Sequence, residues 1–133
     1  MPRSKLQLRR EIYRGDVYRI IDWLQDEKVS AHLNEEQNIA AELERLVRTS
    51  PMPIFTASFN RGGTMFMITL PDRGPIGFLR LASSGESAEI VIVIGERSEW
   101  GKGYGYSAIL KGIRHAFSEW RKRRIHAKIR KEN

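Results

Sequence analysis

Residues 89–94, EIVIVI, are apolar at nearly every position and so present apolar side chains to both faces of an extended chain. A strand of that kind must be covered on both sides, which places it at the centre of a layered sheet. It runs into a turn holding Gly101, Gly103 and Gly105, and a helical pattern follows at once over residues 104–121. Ile109, Leu110, Ile113, Phe117 and Trp120 form the apolar stripe of that helix. Residues 124–130 then alternate Ile125, Ala127 and Ile129 with His126, Lys128 and Arg130, the period of a half-buried strand. Strand, helix and strand in that order imply a right-handed crossover and parallel pairing.

Upstream the elements are simpler. Residues 5–12 read as a first strand. Val17, Ile20, Ile21 and Leu24 then recur at helical spacing, with Asp16 as the expected N-cap. A second helix has Asn34 as its cap, Ile39, Leu43, Leu46 and Val47 on one face, and the prolines at 51 and 53 as its stop. Four strand-like runs follow: 54–60, 64–70, 76–82 and 88–95. Arg61, Gly62 and Gly63 make a hairpin turn between the first two. The expected fold is α/β (α+β), one domain over residues 1–133. Two N-terminal helices precede a mixed sheet in which an antiparallel meander leads into one parallel strand–helix–strand unit.

Composition excludes several classes of chemistry. The 133 residues include no cysteine, so disulfides, thiolate metal sites and a cysteine nucleophile are ruled out. No run of about 18 apolar residues exists to cross a membrane, and the charged N-terminus lacks the apolar centre of a signal peptide. A cytoplasmic location is expected. His32, His115 and His126 are scattered without metal-ligand spacing, and His115 is expected on a polar helix face, so no metal is expected. The net charge is +7, much of it in residues 121–131, which could be a solvated sheet face or a polyanion-binding one. Nucleic acid is disfavoured because aromatic residues do not interleave with the basic run.

The glycine-rich turn, EWGKGYGYSAI over residues 99–109, lies where a phosphate site could form. A helix N-terminus leaves backbone N–H groups unpaired, and glycines let them converge on an anion without Cβ atoms in the way. A plain loop requiring positive φ is the alternative. Two phosphate motifs fail on spacing. Gly95 precedes Gly101 and Lys102 by five residues instead of four, and Gly103 replaces the hydroxyl residue of a P-loop. The dinucleotide fingerprint needs G-x-G-x-x-G with a later acid, whereas here the glycines run G-x-G-x-G and RKRR stands where the acid should be.

Residues 88–117, AEIVIVIGERSEWGKGYGYSAILKGIRHAF, resemble the core of the GNAT superfamily of N-acetyltransferases. That family joins a buried strand to a long helix through a loop of pattern Arg/Gln-x-x-Gly-x-Gly/Ala. Gly103 and Gly105 fill its last two places, and Trp100 stands where Arg or Gln is usual. The sequence W-G-K-G-Y is similar to the branch that acetylates ribosomal-protein N-termini, polyamines and other small amines. In that branch the next strand typically ends in Asn, as Asn133 does here.

The resemblance implies acetyl-CoA as cosubstrate. Its pyrophosphate would meet the backbone of Gly101, Lys102, Gly103, Tyr104, Gly105 and Tyr106, with Trp100 and Asn133 beside the cofactor. Val93, Ile94 and Gly95 would present main-chain groups to the pantetheine arm where the two parallel strands splay apart. An N–H near Ile94 would polarise the thioester carbonyl. Glu89 is the expected base for the amine, with Glu86 and Glu96 behind it; a sheet-edge role or an ion pair is its alternative. The acceptor would be a primary amine: a small molecule, a polyamine or a peptide N-terminus. Relatives continue past the point where this sequence ends, so it is expected to be C-terminally short. A homodimer or strand-exchanged assembly is therefore expected. A catalytically impaired CoA-binding or partner-binding module stays open as the alternative, with a basic nucleic-acid-binding protein behind it.

Overall fold

A computed structural model of the chain describes residues 6–30, 36–61 and 63–128. Five strands form one sheet in the order β1 (Gln7–Arg9), β2 (Gly63–Leu70), β3 (Gly74–Ser84), β4 (Ser87–Ile94) and β5 (Arg124–Lys128). The first four pair antiparallel, and β4 pairs with β5 in parallel from Ser87↔Arg124 to Val91↔Lys128. The expected mixed sheet and crossover are both present, and the crossover helix is α5 (Tyr104–Ser118). Before β2 come α1 (Arg14–Gln25), the short α2 (Glu27–Ser30), α3 (Glu36–Thr49) and the single turn α4 (Thr56–Phe59).

Strand alternation divides the core in two. Ile90, Ile92 and Ile94 of β4 join Leu79 and Leu81 of β3 against Ala108 and Ile109 of α5. Val93, Phe78, Met65 and Met67 face the other way, onto Val17, Ile20, Ile21, Trp23 and Leu24 of α1 and Val47 of α3. The α1 stripe expected from the sequence is buried as a whole. Ties at the helix ends add to that packing. Arg14 donates to the carbonyls of Val47, Ser50 and Met52, closing orphan acceptors at the end of α3 and locking the two helices together.

Three local expectations are corrected. Asp16 is not the N-cap of α1: Tyr13 takes that place, and Asp16 sits one turn in, accepting the Tyr13 N–H at 2.8 Å and the Arg9 guanidinium at 2.7 Å. Residues 54–60 are not a strand of the meander. The N–H of Phe55 donates to the Ile12 carbonyl at 2.7 Å, and the Ile12 N–H donates to Thr56 Oγ1 at 2.9 Å. These bonds pin the segment beside the start of α1 and curl it into α4, so 61–63 is no hairpin turn. The four antiparallel strands are completed by β1 instead.

The stripe of α5 is also displaced. Ile109 is buried and Ile113 and Trp120 pack partly against the same core, but Leu110 and Phe117 are about half exposed, and Ala108, Gly112 and Ala116 complete the buried face. Small residues bring this helix close: a Cβ on Gly112 would lie 2.9 Å from Leu79 Cδ1. His115 lies at the border of the polar face, beside Lys111, Arg114, Ser118 and Glu119. Its ring meets Phe66 edge-on at 5.1 Å and Trp120 at 6.2 Å, and burial holds its pKa below the usual histidine value. The cap expected at Asn34, together with His32 and Asn133, lies outside the described residues, as does the side chain of Ile39.

Candidate active site

β4 ends where its partner β3 is held most firmly. The N–H groups of Gly95 and Glu96 both donate to the Ile76 carbonyl, at 2.8 and 3.1 Å. One 3₁₀ turn (Arg97–Glu99) follows, and then the glycine loop. Gly101 and Gly103 have φ of 80° and 84°, a region that only glycine enters without strain. Gly103 is the N-cap of α5 and, having no side chain, cannot cap it, so the first amides of the helix are offered to whatever lies beyond. The ladder begins at Ser107, whose N–H donates to the Gly103 carbonyl at 3.1 Å. Tyr104, Gly105 and Tyr106 come before it. Tyr104 packs partly into the core and Tyr106 is exposed.

A polar brace holds this loop, and most of it was invisible in the sequence. Glu99 is buried and takes Arg73 Nε at 2.7 Å and Lys102 Nζ at 3.1 Å. Arg73, from the β2–β3 turn, also reaches Ser98 Oγ at 3.0 Å and Glu96 at 3.4 Å. Glu96 accepts the Trp23 indole N–H at 2.9 Å, so the chain of contacts runs from α1 to the loop. No local motif announces such a network, because Trp23, Arg73 and Glu99 are far apart in the chain. Glu96, considered above as a base, is one of its links. Glu86 stands apart at the β3–β4 turn, where its carbonyl accepts the N–H groups of Arg123 and Arg124.

Trp100 turns its indole N–H onto the Ile94 carbonyl at 2.7 Å. The Gly95 N–H points to β3, so by strand alternation the peptide groups of Ile94 face the opposite side, toward the β5 edge. The Ile94 N–H, expected to meet a thioester carbonyl, therefore points to the β5 side. The splay of the parallel strands expected beyond Val91↔Lys128 falls on residues outside those described.

On the other face of the sheet a cleft of about 520 Å³ opens between α1, α3, α4 and the strands. Ile20, Leu24, Phe59, Met65, Phe78 and Val93 give it an apolar lining, and among the described residues Glu42, Arg61, Arg80 and Glu89 are its charged groups. Glu89 is thus placed in a cavity of ligand size. It stands opposite His126 of β5, and paired residues in register share a face, so the exposed His126 is its neighbour. Sequence spacing could not pair them, because the register across the crossover decides it. Among the described residues no group of three His, Asp or Glu side chains could hold a metal, and no helix is long and apolar enough to cross a membrane.

A central strand leads into a glycine loop at a helix N-terminus, with a cleft of ligand size on the reverse face of the sheet. The sequence profile of the acetyltransferase (GNAT) domain matches residues 5–133, and the chain belongs to that family. Enzymes of the family take the acetyl group from acetyl-CoA. Among solved structures, spermidine N-acetyltransferase from Vibrio cholerae, in complex with CoA and spermine, superposes with a TM-score of 0.73 at 23% identity. The alignment covers 93% of this chain and 70% of that one. A GNAT-family acetyltransferase from Bacillus anthracis gives 0.72 at 20% identity, over 97% of this chain and 72% of its own. These likenesses establish the fold. No curated protein matches the sequence significantly.

Proposed function

We propose that this protein transfers an acetyl group from acetyl-CoA to a primary amine held in the cleft against Glu89. The observation that carries the proposal is the double use of β4, whose end opens the glycine loop while its cleft face bears Glu89. The loop fits a pyrophosphate: Gly101 and Gly103 hold positive φ, a Cβ on Gly101 would point into open space, and no side chain caps α5. The backbone N–H groups of Tyr104, Gly105 and Tyr106 would hold the phosphates. Lys102 and Arg73, both bound to Glu99, add positive charge nearby. Val93, Ile94 and Gly95 would line the pantetheine arm, and Trp100 acts as the brace that fixes the Ile94 peptide.

Bound acetyl-CoA supplies the acetyl group as a thioester. The Ile94 N–H would donate to the carbonyl oxygen while the neutral amine nitrogen attacks the carbonyl carbon; the C–S bond then breaks, and CoA leaves as the thiol with a proton given up by the amine. An alkylamine is protonated near neutral pH, and only its neutral form carries a lone pair. Glu89 accepts that proton, directly or through one water, and His126 stands where it can pass the proton to solvent. A protein of the same fold solved with both CoA and spermine supports a CoA donor and an amine acceptor here.

Thermal shift with acetyl-CoA and with CoA tests the donor half, and free-thiol release with a panel of primary amines tests the acceptor half. A rise in Tm with both ligands and amine-dependent thiol release are expected. No shift with either ligand would sink the proposal. Self-association along the β5 edge belongs to the same proposal, and a monomeric mass by light scattering would count against it.

A further inference from the structure

The cleft carries two guanidinium groups beside its two carboxylates, which is an odd lining for a site that admits only cations. Arg80 lies on β3 with its side chain on the cleft face. Its Nη1 donates to the Phe59 carbonyl at 3.2 Å and its Nη2 to the Arg61 carbonyl at 3.1 Å. Both partners are neutral, so these bonds aim the guanidinium without compensating its charge. They also use two of its five N–H donors, leaving a pre-aimed fork suited to a carboxylate. Arg61, exposed at the rim, adds a second cation at the same end.

The carboxylate of Glu89 belongs to the other end. In the β3–β4 register Arg80 faces Val91, two residues along from Glu89. Diagonal neighbours of this kind are about 7–8 Å apart, their Cβ atoms somewhat closer. The Arg80 side chain leans away from β4, toward α4, which widens the separation. Among the described lining residues the two guanidinium and two carboxylate groups sum to zero, and a second ammonium group at that end would approach Arg61 and Arg80.

We propose that the acceptor is a bipolar amine: a primary amine carrying a carboxylate at its far end, with the amine at Glu89 and the carboxylate at Arg61 and Arg80. This rests on the acetyl-transfer proposal and narrows its acceptor class. Three amines of one chain length isolate the far group: 6-aminohexanoate, its neutral amide 6-aminohexanamide, and 1,6-diaminohexane. A fourth, 6-aminohexyl phosphate, separates carboxylate from phosphate.

Initial rates of thiol release should give a kcat/KM for the carboxylate about tenfold above the amide, with the diamine lowest. Arg80→Gln should bring the carboxylate-to-amide ratio close to one, and Arg61→Gln, which removes the rim cation but leaves the fork, should lower it part of the way. Equal rates for all compounds, or preference for the diamine or the phosphate, would overturn the assignment. Thermal shift of the CoA-loaded protein with the same compounds reads the cleft without turnover. If acetyl-CoA fails to bind, the acetyl-transfer proposal falls. The Tm shifts of the ligand-free protein then decide the cleft alone: a larger shift for the carboxylate upholds the bipolar site, and an equal or larger shift for the diamine refutes it.

Discussion

The two faces of β4 make different use of one strand. Toward α5, Ile90, Ile92 and Ile94 meet an aliphatic layer with Leu79, Leu81 and Ala108, all at 3% exposure or less. Toward α1 and α3, Glu89 and Val91 are only half covered and open onto the cleft, and burial is complete again at Val93. The first face anchors the helix whose N-terminus follows the glycine loop; the second leaves space for a ligand. A strand buried on both faces can therefore still serve a site, provided that one layer of helices stands off from part of it.

Substitutions on each face should break that contrast in a graded way. Leu79→Ala, on the closed face, should cost about 3 kcal/mol of stability by denaturant unfolding, since Leu79 has no exposure and Gly112 packs against it. Val91→Ala, on the open face, should cost about 1 kcal/mol or less. Equal losses would show that the cleft is closed in solution.

Glu89→Gln should lower kcat about a hundredfold, about 2.7 kcal/mol in barrier, with thermal stability nearly unchanged. Part of the loss should return at alkaline pH, where more of the amine is already neutral. A flat pH response of the ratio would argue that Glu89 does not handle the proton.

Gly103→Val places a β-branched residue at φ of 84° and should weaken acetyl-CoA binding at least about tenfold, seen as a smaller ligand-induced Tm rise. Unchanged affinity would remove the loop from the cofactor site.

The smallest effect belongs to His115 on the closed face. Burial lowers its pKa, opposed by Glu119 and aided by Arg10, so the folded state favours the neutral ring. Stability from this source is present above about pH 6.5 and declines as the pH falls through that value, because the unfolded chain takes up the proton first. His115→Asn should flatten the dependence of the urea midpoint between pH 7 and pH 5.

Much of the site was legible in local sequence. The run EIVIVI encodes a strand covered on both faces, and the glycines at 101 and 103 encode positive φ immediately before a helix. Glu89 could be singled out because it opens that strand. Arg73, Arg80 and Glu99 could not, since their roles come from partners on other elements. The segment 54–60 failed for the same reason. Its composition suits a strand, and its bonds to Ile12 make it a turn of helix.

Sequence alone therefore determined the strand–helix–strand order from β4 to β5, the central strand and the glycine loop, because these depend on period and on backbone freedom within a few residues. Tertiary structure decided which stripe of α5 meets the sheet, which acids face the cleft, and that Glu89 and His126 stand side by side. Those outcomes depend on close helix–sheet approach and on strand register, which are set by contacts between residues distant in the chain.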